Sequence, residues 1–91
     1  MSVKETLHAK LTEALKPTRL SITDESHLHA GHAGARAEGE THFRVEIVSA
    51  AFAGQPRVQR QRMVYQIVAE ELRTRVHALA LSTRSPEEAA P

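Results

Sequence analysis

Between Arg60 and Leu81 the apolar spacing changes from a helical period of about 3.6 to a strand period of about 2. A stretch with that switch passes from a helix into a strand almost without a loop. Met63 and Ile67, Val64 and Val68, and Val68 and Leu72 are each four apart, so they share one face of a helix. Gln61, Gln66, Glu70, Glu71 and Arg73 fall mostly on the other side. From there Val76, Ala78 and Ala80 would point one way from a strand, and His77, Leu79 and Leu81 the other. His77 thus stands where the strand begins, on the face of two leucines. That position suits a partly buried imidazole with a backbone partner, and it equally suits a ligand or switch.

Upstream, Ser2-Val3-Lys4-Glu5 has the form of a capping box, and Val3, Leu7, Leu11 and Leu15 make one apolar stripe. Pro17 ends that helix, because it offers no donor and disfavours helix in the residue before it. Arg19–Thr23 and Thr41–Ser49 alternate as strands. In the second, Phe43, Val45 and Ile47 are expected inward, with His42, Arg44 and Glu46 outward. The two strands are expected to pair as an antiparallel hairpin. Phe52–Pro56 reads as a turn into a helix starting near Val58, and Ser85-Pro86-Glu87-Glu88 as the start of a short last helix.

The resulting order is helix, strand, strand, helix, strand, short helix. It specifies an α+β domain with a three-stranded mixed sheet and helices packed on one face. With 91 residues the chain is one domain, with an ordered core expected over about residues 2–83 and a short helical or frayed tail over 84–91. No stretch resembles a signal peptide or a membrane span, so a soluble, cytoplasmic protein without a membrane partner is expected.

Residues 25–40 join the two strands without periodicity and are rich in Gly, Ala and His. Connections that long inside a small domain are usually functional or mobile. His27, His29 and His32 place three imidazoles within this segment, and imidazole suits several transition metals. A solvated loop of biased composition accounts for them as well. There is no cysteine, which excludes disulfides, thiol catalysis and a cysteine-ligated metal centre built by this chain alone.

Arg57, Arg60 and Arg62 cluster at the start of the central helix and could contact phosphates. A net charge of +1 and the lack of interleaved aromatic residues favour a solvated face instead. Ser26 beside His27 and His29 has no credible orienting carboxylate beyond Asp24 and Glu25, so no enzyme activity is expected.

Taken together, these pieces resemble the BolA family over nearly the whole chain. The matching residues are Asp24-Glu25-Ser26 with His29, Glu40–Val45, Val48-Ser49, Phe52-x-Gly54, Arg60-x-Arg62-Met63-Val64-Tyr65, Ala69–Leu72 and Val76–Leu81, then Thr83 and Pro86-Glu87. The resemblance implies a class II KH-like fold. It also implies partnership with a monothiol glutaredoxin, the two chains holding a bridging [2Fe–2S] cluster together with glutathione, and no cofactor on the isolated chain. In that arrangement His77 is a ligand and His29 the second, with His32 and His27 as alternates. Two imidazoles on one iron would be similar to Rieske ligation, which raises reduction potential. The family also implies transcriptional regulation in morphology, stress and biofilm formation. DNA, through Arg57, Arg60 and Arg62, is therefore a candidate partner, and so is a second copy of the cluster-free chain. Where the family has Arg-His-Arg, this chain has Gln61 in the middle.

Overall fold

The structure, a computed structural model, describes residues 2–26 and 41–90. His27, His29 and His32 lie outside the described residues. The first helix, α1 (Val3–Leu15), starts as its sequence demands. The Ser2 hydroxyl accepts the Glu5 N–H at 3.1 Å, and the Glu5 carboxylate accepts the Ser2 N–H at 2.9 Å. Val3, Leu7, Leu11 and Leu15 are all buried, forming the stripe that meets the sheet. Lys16 closes the helix in the left-handed region at φ 44°, its N–H bonded to the Thr12 carbonyl, and Pro17 prevents any continuation.

Strands β1 (Arg19–Asp24), β2 (His42–Val48) and β3 (Ala78–Arg84) form one mixed sheet with β2 in the centre. β1 runs antiparallel to β2, from Arg19 opposite Val48 to Asp24 opposite Phe43. β3 runs parallel to β2, from Ala78 beside His42 to Arg84 beside Val48. This register puts Ile22, Phe43, Val45, Ile47, Leu79 and Leu81 on one face, where the helices cover them. Ser21, Thr23, Arg44 and Glu46 remain exposed on the other.

A parallel neighbour requires a crossover, and the helices between β2 and β3 supply it. A 3₁₀ turn (Ala50–Phe52) follows β2, capped by Ser49, and inserts the fully buried Phe52 into the core. The Ser49 hydroxyl also donates to the Leu15 carbonyl at 2.6 Å, which joins the end of α1 to the end of β2. Gly54, at φ 76°, makes the turn into the next helix.

The expected single central helix is two: α2 (Arg57–Ile67) and α3 (Ala69–Thr74), separated at Val68. Val68 departs from helical geometry at φ −109°, ψ 25°, although its N–H still bonds the Val64 carbonyl. Ile67 and Val68 are adjacent β-branched residues and weak helix formers, and Val68 is fully buried, so packing redirects the helix there. Lys10 on α1 then clamps Glu71 on α3 at 2.7 Å, where Glu71 is only 8% exposed.

The last helix, α4 (Pro86–Ala89), is tied down by more than its own cap. Arg60 reaches from α2 to the Glu88 carboxylate with two hydrogen bonds, of 2.6 and 3.2 Å. It also donates to the carbonyls of Gln55 and Thr83 and lies over the Phe52 ring. No described helix is long and apolar enough to cross a membrane.

Candidate functional site

His77 sits in the bend between α3 and β3, and its backbone is held from both sides. The carbonyl of Glu71 accepts the N–H groups of Arg75 (2.8 Å) and Val76 (2.7 Å), and the Val76 side chain is buried. One residue further on, the Thr41 carbonyl accepts the N–H groups of His77 (2.7 Å) and Ala78 (3.2 Å). The imidazole itself is exposed and makes no hydrogen bond to a described residue. It is not the satisfied, half-buried imidazole that strand alternation allows, because the strand begins at Ala78 and does not include His77.

The ring of His77 faces the ring of His42, with centroids 5.1 Å apart and planes tilted by 51°. His42 was expected to point outward with Arg44 and Glu46. It does belong to the face opposite Phe43, but it is buried at 6% exposure while Arg44 and Glu46 are exposed. Alternation assigns a face; what covers that face decides exposure.

Behind His42 lies a chain of buried and half-buried polar groups that periodicity did not reveal. Ser26 folds back on Asp24 in an Asx-type turn, its N–H and its hydroxyl both donating to Asp24 Oδ1, at 2.9 and 2.5 Å. The Ser26 oxygen accepts the N–H groups of Thr41 (2.9 Å) and His42 (3.2 Å). The Thr41 hydroxyl contacts His42 Nδ1 at 2.9 Å, and Thr41 is 1% exposed. Asp24-x-Ser26 at a strand end and Thr41-His42 at the next strand's start were the available signals. Local pattern could not show that they meet.

This chain also anchors the segment that carries the loop histidines. Residues 27–40 leave from Ser26 and return at Thr41, and a Ser26–Thr41 hydrogen bond ties these two ends together beside His42. Among the described residues, no three His, Asp or Glu side chains converge to hold a metal ion.

The arginines divide. Arg57 and Arg62 are exposed and form no ion pair with a described residue. Arg60 is 9% exposed, and its guanidinium is taken up by Glu88, Gln55 and Thr83. It serves packing, with four of its five N–H donors engaged in that contact. The same guanidinium, with the Ser85 N–H, holds the Glu88 carboxyl down at about 2.

Comparison with known proteins places these residues in a family. The family model for BolA-like proteins matches residues 11–88. An uncharacterised protein in the cobS 5' region of Sinorhizobium sp is 47% identical over 89 residues, covering 97% of this chain and 96% of that one. The DNA-binding transcriptional regulator BolA of Escherichia coli is 43% identical over 88 residues, covering 97% and 80%. Against the chloroplastic BOLA1 of Arabidopsis thaliana, identity is 46% over 90% of this chain, which spans only 52% of that protein. The solved structure of Arabidopsis thaliana BolA1 superposes with a TM-score of 0.88 at 41% identity, covering 99% of this chain and 98% of that one.

Proposed function

This chain belongs to the BolA-like family, and from that premise we propose that it is a non-enzymatic iron–sulfur adaptor. In this reading His77 and one loop histidine, His29 with His32 and His27 as alternates, donate to a [2Fe–2S] cluster shared with a monothiol glutaredoxin and its glutathione. The single observation carrying the reading is the state of His77: an exposed imidazole without a hydrogen-bond partner among the described residues, on a backbone fixed at both flanks. A ligand needs a free ring nitrogen, and a shared cluster needs it at the surface.

The donor set fits as well. Imidazole is an accepted iron–sulfur ligand when histidines replace cysteines on one iron. A chain with no cysteine can hold a cluster in that way, provided the thiolates come from the partner. When bound, the cluster would supply one-electron redox chemistry or be passed on as cargo. The residues of this chain present imidazole, anchor the loop ends and shape the contact. The test is His77→Ala in the reconstituted complex: the His77-dependent visible spectrum disappears while far-UV circular dichroism is unchanged. An identical visible spectrum in the variant overturns the ligand assignment.

A second reading has one observation in its favour. Arg57 and Arg62 are exposed and unpaired among the described residues at the start of α2, and the Escherichia coli relative is named a DNA-binding regulator. If both arginines contact phosphates, Arg57→Ala with Arg62→Ala lowers the slope of log affinity against log salt by roughly 1.8. An unchanged slope in the double variant removes this reading.

A further inference from the structure

We propose that Thr41 is the positioning residue for His77, acting through a single fixed tautomer of His42, with Ser26 and Asp24 holding Thr41 in place. The proposal rests on the adaptor reading for what His77 does, but the arrangement it describes belongs to the cluster-free chain.

The tautomer follows from counting donors and acceptors. Asp24 as a carboxylate only accepts, so the Ser26 hydroxyl hydrogen goes to Asp24 Oδ1 at 2.5 Å. The Ser26 oxygen then receives two N–H groups, from Thr41 and His42, which occupy both of its lone pairs. Thr41 Oγ1 lies 3.4 Å from that oxygen, too far and too late to donate to it. Its hydrogen is directed instead to His42 Nδ1, at 2.9 Å. Neutral His42 with an accepting Nδ1 carries its proton on Nε2.

One residue therefore controls both halves of the histidine pair. The Thr41 carbonyl fixes the backbone N–H of His77, and its hydroxyl fixes the ring of His42, against which the His77 ring rests. At 6% exposure with its Nδ1 engaged, His42 has little freedom to flip, so it limits the rotamers of His77. A ligand held in advance loses less conformational freedom on binding. Partners that orient metal ligands typically change metal affinity about 10- to 100-fold when they are removed.

The test begins on the cluster-free full chain, with long-range proton–nitrogen correlation of the imidazoles at a pH where histidines are neutral. The unsubstituted protein is expected to show His42 as one Nε2–H tautomer. Thr41→Val, which keeps shape and loses the hydroxyl, is expected to give mixed tautomers at His42 and a shift of the His77 ring signals; Thr41→Ser is expected to restore both. An Nδ1–H tautomer in the unsubstituted protein overturns the proposal, as do unchanged His42 and His77 signals in Thr41→Val. The tautomer measurement requires no variant, so it decides even if Thr41→Val fails to fold. A second arm reconstitutes the cluster on a monothiol glutaredoxin with glutathione. Thr41→Val is expected to need about 10-fold or more of the chain to reach the same His77-dependent spectrum. If the unsubstituted chain gives no such spectrum, the adaptor reading fails, and the tautomer result still decides the positioning.

Discussion

Replacing Ser26 by alanine removes one oxygen and strips two backbone donors at once. In the native chain that oxygen accepts the N–H groups of Thr41 at 2.9 Å and His42 at 3.2 Å, both on buried residues. Leaving a buried donor unsatisfied costs about 1–3 kcal/mol. Two donors would set a range of about 2–6 kcal/mol, with the longer bond the weaker of the pair. Ser26 is 6% exposed, so water can relieve part of the penalty, and about 2–4 kcal/mol is the expected loss. That is a large share of the roughly 5–15 kcal/mol available to a domain. Urea unfolding followed by far-UV circular dichroism measures it as a lower midpoint at unchanged slope. Ser26→Thr keeps the oxygen and should recover most of the loss. A Ser26→Ala midpoint within about 0.5 kcal/mol of the native one would refute the reasoning, since that is the size of an ordinary surface substitution.

Two further predictions concern the last helix and the end of the first. The folded pKa of Glu88 lies near 2, below its ordinary 4.5, because it accepts hydrogen bonds from Arg60 and from the Ser85 backbone. Its ionised form therefore stabilises the fold above pH 4.5, and that contribution is lost as pH falls toward 2. Glu88→Gln should flatten this limb of the melting temperature against pH; an equally steep limb would exclude Glu88 as its source. Lys16 holds a left-handed conformation at φ 44° without being glycine. Lys16→Gly should raise stability by about 1 kcal/mol in urea unfolding, and a loss would show that its side chain contributes more than its backbone strain.

Periodic features were legible in the sequence because burial of a stripe or a face needs only local spacing. The four apolar residues of α1, the alternating β2 and the helix-to-strand switch leading to β3 all follow that logic. What was hidden depends on partners far away in the chain. Arg60 reads as one of three neighbouring basic residues, but Glu88, 28 positions later, withdraws it from the surface. His42 reads as an outward strand residue, but it is buried, with the Thr41 hydroxyl on its ring and His77 beside it. His77 itself was legible as the residue at the switch. Its exposure was not, because the strand starts one residue later than alternation suggests. The break at Val68 was also hidden, since it arises where packing of a buried β-branched residue outweighs helical geometry.

The adaptor reading meets its most direct test in reconstitution of a [2Fe–2S] cluster on a monothiol glutaredoxin with glutathione, with and without this chain. Visible absorbance and circular dichroism are then compared. The account predicts a new spectrum when the chain is added, from a one-to-one complex, and its loss when His77 is replaced by alanine. A spectrum indifferent to the chain, with no complex formed, would contradict it.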